Sequence, residues 1–269
     1  MDRIALMESF RDTARVFREN AGLRAATLSM QAGTRLFFPC FEAINPIRKT
    51  ESPDLTVVED TTFHCAMGLL HQGRVAVLNF ANAYTPGGGV TRGAMAQEEC
   101  LCRSSNLYEG LNLPYLLKNY YKFNKRNTGD LGSDAVIYHP GVTVIKSDDD
   151  LPVPLEKPFR VDVLTCAAPY VNLDRTKPLP REKLEETLNR RIRNILEVAI
   201  AYNVDCLVLG AFGCGAFNND PKMVAECFHE LLTAKGYGCF FRKVVFAIKK
   251  ARVNVNFEVF SKVLADNSI

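Results

Sequence analysis

The sequence predicts an α/β sandwich, in which helices cover both faces of a central sheet. Short apolar runs of the kind found in buried strands alternate along the chain with longer segments of helical periodicity. The composition, 47% hydrophobic and 23% charged residues, is that of an ordinary globular protein. No internal repeat, low-complexity tract or linker divides the sequence. We therefore expect residues 1–269 to form one domain, with residues 1–33 as a helical extension packed on it.

The predicted strands are short, apolar and rich in β-branched residues. They cover residues 35–38, 56–59, 75–80, 135–138, 142–146, 160–165, 205–209 and 243–248. Two of these runs flank His139-Pro140-Gly141, which predicts a turn between two separate strands. Polar, glycine- or proline-containing stretches predict surface loops at 45–54, 122–134 and 147–158.

Helices are predicted where apolar residues recur every three to four positions. They cover residues 4–20, 63–70, 181–202, 221–232 and 254–264, with a further helix starting at Gln97. Pro221 suits the first position of its helix, and Asp220 could cap it. In the same way Asp60 or a following threonine could cap the helix at 63–70, by accepting a backbone N–H that has no partner within the helix.

Charge and cysteine content argue against several function classes. The net charge of +3 is too slight to indicate nucleic-acid binding. No apolar run approaches 18 residues and the charged N-terminus has no signal-peptide core, so we expect a cytoplasmic protein. The nine cysteines include no CxxC pair and no histidine has metal-ligand spacing, so reduced buried thiols are expected, with no metal and no cofactor. The run Asp148-Asp149-Asp150 is expected to be exposed to solvent.

The most informative stretch begins at the end of the predicted strand 75–80. Asn79-Phe80-Ala81-Asn82 is followed by Gly87-Gly88-Gly89 and then by Gln97-Glu98-Glu99. Glycines let backbone N–H groups approach a ligand, because they accept positive φ and carry no Cβ. Paired carboxylates beside such a loop suggest protonation of a leaving oxygen in a sugar or phosphate compound. Each part alone is more often a tight turn or the first turn of a helix, but the combination is rarer.

A second glycine-rich stretch, from Gly210 to Phe217, lies between the strand at 205–209 and the helix at 221–232. Its spacing, Gly-x-x-Gly-x-Gly, matches neither the dinucleotide fingerprint nor the loop that binds nucleoside triphosphates. The spacing alone leaves a phosphate-binding loop and a tight packing turn equally open. A nucleophilic role for Cys214 is not favoured, because no histidine follows where it could support one.

The first stretch resembles the signature of the poly(ADP-ribose) glycohydrolases, in which Gly-Gly-Gly precedes Gln-Glu-Glu. Its flanks, NFAN and ECLCRSSNLY, are similar to those of the compact bacterial-type members, and GAFGCGAFNNDP is similar to the diphosphate loop of macrodomains. The resemblance implies a macrodomain-like three-layer α/β/α sandwich with a central mixed sheet and an N-terminal accessory helix. It also implies hydrolysis of ribose–ribose O-glycosidic bonds with release of ADP-ribose.

The resemblance further implies roles for individual residues. Glu99 matches the catalytic acid, which would protonate the departing 2′-oxygen and then activate water, and Glu98 matches the carboxylate that positions ribose hydroxyls. The remaining matched residues would bind the substrate: Asn82, Gln97, Gly87, Gly88 and Gly89 around the scissile ribose, the main chain of Gly213, Cys214, Gly215 and Ala216 at the diphosphate, Phe217 at the second ribose, and Asp60 at the adenine.

Two alternatives of the same fold stay open. One is a mono-ADP-ribosyl hydrolase acting on protein side chains or nucleic acid, and the other is a non-catalytic ADP-ribose-binding macrodomain. A binding module would retain its glycine loops without needing both glutamates, so the Glu98-Glu99 pair favours an enzyme. The expected partners are poly(ADP-ribose) or ADP-ribosylated proteins as substrate and ADP-ribose as product, without a membrane. Arg92 departs from the family pattern and either contacts a phosphate or faces solvent.

Overall fold

A computed structural model of the chain describes residues 2–127, 131–171 and 179–265. Within these residues seven strands form one mixed sheet of order β1-β4-β5-β3-β6-β7-β2. The strands are β1 Arg35–Phe37, β2 Leu55–Val58, β3 Val75–Phe80, β4 Val136–Lys146, β5 Pro154–Cys166, β6 Cys206–Leu209 and β7 Lys243–Ala247. Strands β5, β3, β6, β7 and β2 run parallel, whereas β4 is antiparallel to both of its neighbours. The predicted mixed sheet is confirmed.

Helices cover both faces of this sheet. Their bounds are α1 Arg3–Glu19, α2 Ala21–Gly33, α3 Thr62–Leu69, α4 Gln97–Ser104, α5 Leu107–Leu111, α6 Pro114–Leu116, α7 Lys122–Asn127, α8 Arg181–Ala201, α9 Pro221–Leu232 and α10 Val255–Ala265. Helices α8, α9 and α10 pack on one face, and α2, α3, α4 and α5 pack on the other. The three-layer sandwich is therefore confirmed. None of the helices in the described residues is both long and apolar enough to cross a membrane.

Strand β3 lies at the centre of the sheet, and the run Val75–Leu78 is continuously apolar because helices cover the strand on both faces. Its side chains alternate between the two faces, as the pleat requires. Ala76 and Leu78 join the core under α8 and α9, whereas Val75 and Val77 join the core under α3 and α4. All four are at least 97% buried. Burying a Val or Leu side chain stabilises the fold by about 1.5–3 kcal/mol, so both layers are held firmly to this strand.

Three loop predictions are wrong. The two strands expected around His139-Pro140-Gly141 form the single strand β4, because β5 pairs with it on both sides of a register shift between His139 and Val142. Gly141, with φ of 62°, takes up the irregularity without ending the strand. The region expected as a loop at 147–158 already contains the start of β5 at Pro154, which pairs with Lys146. Residues 122–127 form α7, and the end of that predicted loop, 128–130, lies outside the described residues.

The start of α3 decides between the expected caps and corrects a further expectation. The cap residue is Thr61 and not Asp60, but the Thr61 side chain makes no capping hydrogen bond, and Asp60 accepts a hydrogen bond from the Thr61 N–H at 2.7 Å. Asp148, expected in solvent, is 4% exposed and accepts hydrogen bonds from the Phe63 N–H at 2.8 Å and from Thr61 Oγ1 at 2.7 Å. A carboxylate from another segment therefore accepts a hydrogen bond from one of the N–H groups at the positive end of α3 that have no partner within the helix.

Candidate active site

The two glycine-rich stretches meet because they follow neighbouring parallel strands. Strands β3 and β6 pair in parallel, so the loops after both leave the same edge of the sheet. A Cβ added at Gly210 would lie 2.8 Å from Phe80 Cζ, and the rings of Phe80 and Phe212 are 6.0 Å apart. This edge is the usual ligand-binding side of an open α/β sheet, which makes it the candidate site.

Gly87, Gly88 and Gly89 form a loop that wraps around the two glutamates. Gly87 and Gly88 have φ of 62° and 56°, in the left-handed region that favours glycine. A Cβ added at Gly88 would lie 2.4 Å from Glu99 Oε1 and 3.2 Å from Glu98 Oε2. The carboxylates occupy the space that any other side chain would need, so this position has to be glycine.

Asn82 and Gln97 hold the framework of this loop. Asn82 Oδ1 accepts hydrogen bonds from the backbone N–H groups of Tyr84 and Thr85, at 2.8 and 2.9 Å. Gln97 Oε1 accepts from the Phe80 N–H at 2.9 Å, and Gln97 Nε2 donates to the carbonyl oxygen of Leu78 at 2.8 Å. Gln97 thereby ties the start of α4 to the end of β3, while a contact of either side chain with substrate stays a prediction.

Glu98 is 2% exposed and is held by donors from the β3 end. Its carboxylate accepts hydrogen bonds from the Asn82 N–H at 2.8 Å and from Asn79 Nδ2 at 3.3 Å. The pKa of Glu98 is raised to about 8, mainly by burial and also by the nearby Glu99, against the hydrogen bonds from Asn82, Asn79 and Gly87, which lower it. Asn79 was not predicted as a site residue, although it begins the NFAN segment.

Glu99 is also buried, at 6% exposed, but its two oxygens differ in their partners. Oε1 accepts the Gly89 N–H at 2.8 Å, whereas Oε2 has no hydrogen-bond partner among the described residues. Glu99 Oε1 and Glu98 Oε2 both lie within 3.2 Å of the position that a Cβ of residue 88 would take. The two oxygens are therefore no more than roughly 6 Å apart. A negative charge this close is one of the causes that raise the pKa of Glu98.

Arg103 is a second residue that sequence reasoning missed. Its side chain is fully buried one turn after Glu99, and Nη1 donates to the carbonyl oxygen of Ala94 at 2.5 Å. Nη2 contacts Cys100 Sγ at 3.2 Å. Arg103 thus anchors the segment between the glycine loop and α4, and no local pattern distinguishes it from a surface arginine.

Two glycines of the second glycine-rich loop, Gly213 and Gly215, have different surroundings. A Cβ at Gly213, where φ is 75°, would lie 2.4 Å from Ala168 Cβ and 2.6 Å from Asn219 Nδ2, whereas a Cβ at Gly215 would meet no atom within 4 Å. Asn219 Nδ2 fastens the loop by donating to the carbonyl oxygens of Pro169 and Gly213, at 2.8 and 3.1 Å. Burial raises the pKa of the Cys214 thiol to about 12, which argues against a nucleophilic thiolate.

A cleft of about 510 Å³ connects the second loop with the start of α3. Among the residues predicted for the site, its lining includes Asp60, Gln97, Gly213, Gly215, Ala216 and Phe217. The cleft is not lined by Glu98, Glu99, Asn82, the first glycine loop or Cys214, although Phe80, Ala81 and Ala96, their near neighbours in the chain, do line it. Residues 253–256, at the start of α10, complete the wall and were not predicted to do so.

Comparison with known proteins decides what this site belongs to. The model of one family, described as the catalytic domain of microbial-type PARG, matches residues 13–147, which include the glycine loop and both glutamates. The chain belongs to this family. It is a poly(ADP-ribose) glycohydrolase, a glycosidase that hydrolyses poly(ADP-ribose), as the resemblance implied. No protein of curated function matches the chain in sequence.

Solved structures extend the match to the second loop. The poly(ADP-ribose) glycohydrolase of Thermomonospora curvata is 32% identical with a TM-score of 0.82, and the match covers 96% of this chain and 98% of that one. The enzyme of Deinococcus radiodurans in complex with ADP-ribose is 33% identical with a TM-score of 0.78, over 90% of this chain and 98% of that one. The Thermomonospora enzyme has also been solved with the inhibitor ADP-HPD. The macrodomain-like fold of the family is confirmed.

Proposed function

We propose that this glycohydrolase cleaves the ribose–ribose bond by general acid–base catalysis with Glu99. Glu99 Oε2 would donate a proton to the departing 2′-oxygen while positive charge develops at the anomeric carbon. The resulting carboxylate would then take a proton from the water that attacks this carbon. Atoms balance, because the bond to the 2′-oxygen is replaced by a bond to the water oxygen and Glu99 regains its proton.

The observation that carries this proposal is the difference between the two carboxyl groups. Glu98 already has partners within the protein, because its carboxyl oxygens accept hydrogen bonds from the Asn82 N–H and from Asn79 Nδ2. Glu99 Oε2 is buried without a hydrogen-bond partner among the described residues, as expected for an atom whose partner arrives with the substrate. Glu99 Oε2 therefore has hydrogen-bonding capacity left for the departing 2′-oxygen, and Glu98 would hold ribose hydroxyls.

The same proposal orients ADP-ribose along the cleft. The ribose with the scissile bond would lie against the backbone of Gly87, Gly88 and Gly89. The diphosphate would lie over the amides of Gly213, Cys214, Gly215 and Ala216, where the open space at Gly215 leaves room for it. The second ribose would pack on Phe217, whose ring meets Tyr170 edge-on at 5.8 Å, and the adenine would approach Asp60.

Product analysis tests this function. The wild-type enzyme is incubated with automodified poly(ADP-ribose) and, separately, with mono-ADP-ribosylated proteins, and the released nucleotides are separated by chromatography. We expect release of ADP-ribose from the polymer while the unit attached to protein remains. Release from mono-ADP-ribosylated protein with intact polymer would instead assign a mono-ADP-ribosyl hydrolase, and binding of ADP-ribose without any cleavage would assign a reader.

A further inference from the structure

The turn between the first glycine loop and α4 carries a cation that the roles above do not use. Arg92 ends the short helical turn Val90–Arg92 and is exposed. Its guanidinium takes part in none of the hydrogen bonds or ion pairs formed among the described residues. An arginine without an internal partner can bind an external anion without first breaking a bond to the protein.

Arg92 lies close to the proposed proton donor. A Cβ added at Gly89 would be 3.7 Å from Glu99 Oε1 and 4.0 Å from Arg92 Nη2. The guanidinium is therefore within roughly 8 Å of the Glu99 carboxyl group, a separation that a bound phosphate can span. Arg92 does not line the cleft, although Met95 and Ala96 of the same segment do. It thus lies near the scissile bond but outside the space that would hold the released ADP-ribose.

The turn that carries Arg92 is braced from two sides. Gly93 has φ of 72°, and a Cβ added there would lie 2.5 Å from the carbonyl oxygen of Arg3, so the first residue of α1 packs directly against it. On the other side, Arg103 donates to the carbonyl oxygen of Ala94. A rigid turn loses little conformational entropy when it binds a ligand, so the position suits recognition. The accessory helix α1 thereby acquires a role in supporting the active-site rim.

The chemistry of the substrate supplies an anion at this place. The leaving oxygen is the 2′-oxygen of a ribose that carries a diphosphate on its own 5′ carbon. When Glu99 contacts that oxygen, the diphosphate of the leaving unit is a few bonds away, outside the cleft. We propose that Arg92 binds this diphosphate and forms a subsite for the leaving ADP-ribose unit. This subsite rests on the proposed role of Glu99. The planar guanidinium suits two parallel hydrogen bonds to phosphate oxygens.

Binding of an ADP-ribose dimer and of monomeric ADP-ribose tests the proposal. Both are measured by calorimetry on Glu99→Gln, in which the dimer is expected to stay intact. Adding Arg92→Gln is expected to weaken dimer binding about three- to tenfold, an effect that shrinks with added salt, because the contact is exposed. Monomer binding should change less than twofold, and Arg92→Lys should retain part of the affinity for the dimer.

A matched control removes the same charge elsewhere. Arg18 is exposed on the same helix as Arg3, fifteen positions further along, which is about 22 Å at 1.5 Å per residue. Arg18→Gln in the Glu99→Gln background should bind both ligands like its parent. A similar loss of dimer affinity in this control would mean that net charge, rather than a subsite at Arg92, attracts the polymer.

Three results would overturn the subsite. The first is unchanged dimer affinity in Arg92→Gln, and the second is equal weakening for dimer and monomer, which would assign Arg92 to the site of the released unit. The third is a parent that binds dimer no better than monomer. Failure of the proposed function looks different, because Glu99→Gln would then still cleave the dimer; Arg92→Gln would in that case be judged on KM for the dimer.

Discussion

The two glycine-rich loops look alike in sequence, but Gly88 of the first loop and Gly215 of the second have opposite surroundings. At Gly88 the missing side chain makes room for the protein's own carboxylates, with Glu99 Oε1 only 2.4 Å from the Cβ position. At Gly215 the corresponding space is empty within 4 Å. The space at Gly88 is therefore filled by the carboxylates of Glu98 and Glu99, whereas the space at Gly215 is open. Glycine content alone does not tell a position filled by the protein from one that is open.

The largest effect is expected when the contact between Gly88 and the two glutamates is disturbed. Gly88→Ala would place a methyl group against both carboxyl groups, in a backbone region that L-residues rarely adopt. We expect a loss of stability of about 1–3 kcal/mol and a fall in polymer hydrolysis of about 100-fold or more, because Glu99 is displaced. Thermal unfolding and initial rates on poly(ADP-ribose) measure the two effects.

Gly236→Ala is the matched control for this variant. Gly236 also has positive φ, 75°, but a Cβ there would meet no atom within 4 Å, and it lies in the turn after α9. The control should lose some stability through backbone strain and keep its activity. Equal activity losses in both variants would show that strain, and not displacement of the glutamates, explains the effect.

The second comparison concerns titration, since only the first loop holds buried carboxyl groups. Burial raises the pKa of Glu98 to about 8, so Glu98 should lose its proton as the pH rises through about 8. The site then has one more negative charge and one proton fewer for the departing oxygen, so kcat should fall above that point. A rate profile that stays flat well beyond pH 8 would contradict a role for the Glu98 proton, and Gly215→Ala should leave the shape of the profile unchanged.

The same shift makes a stability prediction of defined sign. The pKa of Glu98 is raised from 4.5 in the unfolded chain to about 8 in the fold, so the unfolded chain releases its proton first. Folding stability should therefore fall, relative to Glu98→Gln, as the pH rises from about 4.5 to about 8. The difference in Tm between wild type and Glu98→Gln, measured at pH 5 and pH 8, checks this. A difference that moves the other way would mean that the hydrogen bonds from Asn82 and Asn79 outweigh burial.

A smaller effect is expected at the second loop. Gly215→Ala adds a methyl group into open space, so the Tm should hardly change. Affinity for ADP-ribose should fall about three- to tenfold, because the methyl group competes with the diphosphate for the space over the loop amides. Calorimetry with ADP-ribose measures this, and unchanged affinity would show that the diphosphate does not approach Gly215.

The smallest effect is expected at Cys214, whose contribution to the second loop is its backbone. Burial holds the pKa of its thiol at about 12, so it carries no nucleophilic thiolate near neutral pH. Cys214→Ala should keep polymer hydrolysis within about twofold of wild type. A loss of tenfold or more, with an unchanged Tm, would require a chemical role for the sulfur.

The sequence predicts correctly those elements whose signals lie within a few neighbouring residues. The strand at 75–80 and the helix at 221–232 were predicted with the observed bounds, because an apolar run and an Asp220–Pro221 helix start are each readable within a few residues. The continuity of β4 through Gly141 was not readable, because it depends on pairing with β5. The same holds for Asp148, whose burial follows from its hydrogen bonds to the distant start of α3.

The residues of the candidate site also fall into those that local motifs predict and those that depend on contacts with distant segments. Glu98, Glu99 and both glycine loops stand out in the sequence, because short motifs carry them. Arg103 and Asn219 do not, since their importance comes from the carbonyl oxygens they bind in other segments. The wall formed by residues 253–256 depends on where the chain returns after β7, which only the folded structure shows.

Single-turnover cleavage by Glu99→Gln tests the central claim most directly. The variant is mixed in excess with poly(ADP-ribose), released ADP-ribose is followed in time, and affinity for ADP-ribose is measured in parallel. Glu182→Gln, which removes an exposed carboxylate at the start of α8, serves as control. We predict a rate reduced by about 10²–10⁴-fold or more with near-normal ADP-ribose affinity, because the general acid is lost while the cleft is intact. A rate close to that of wild type would contradict Glu99 as the proton donor.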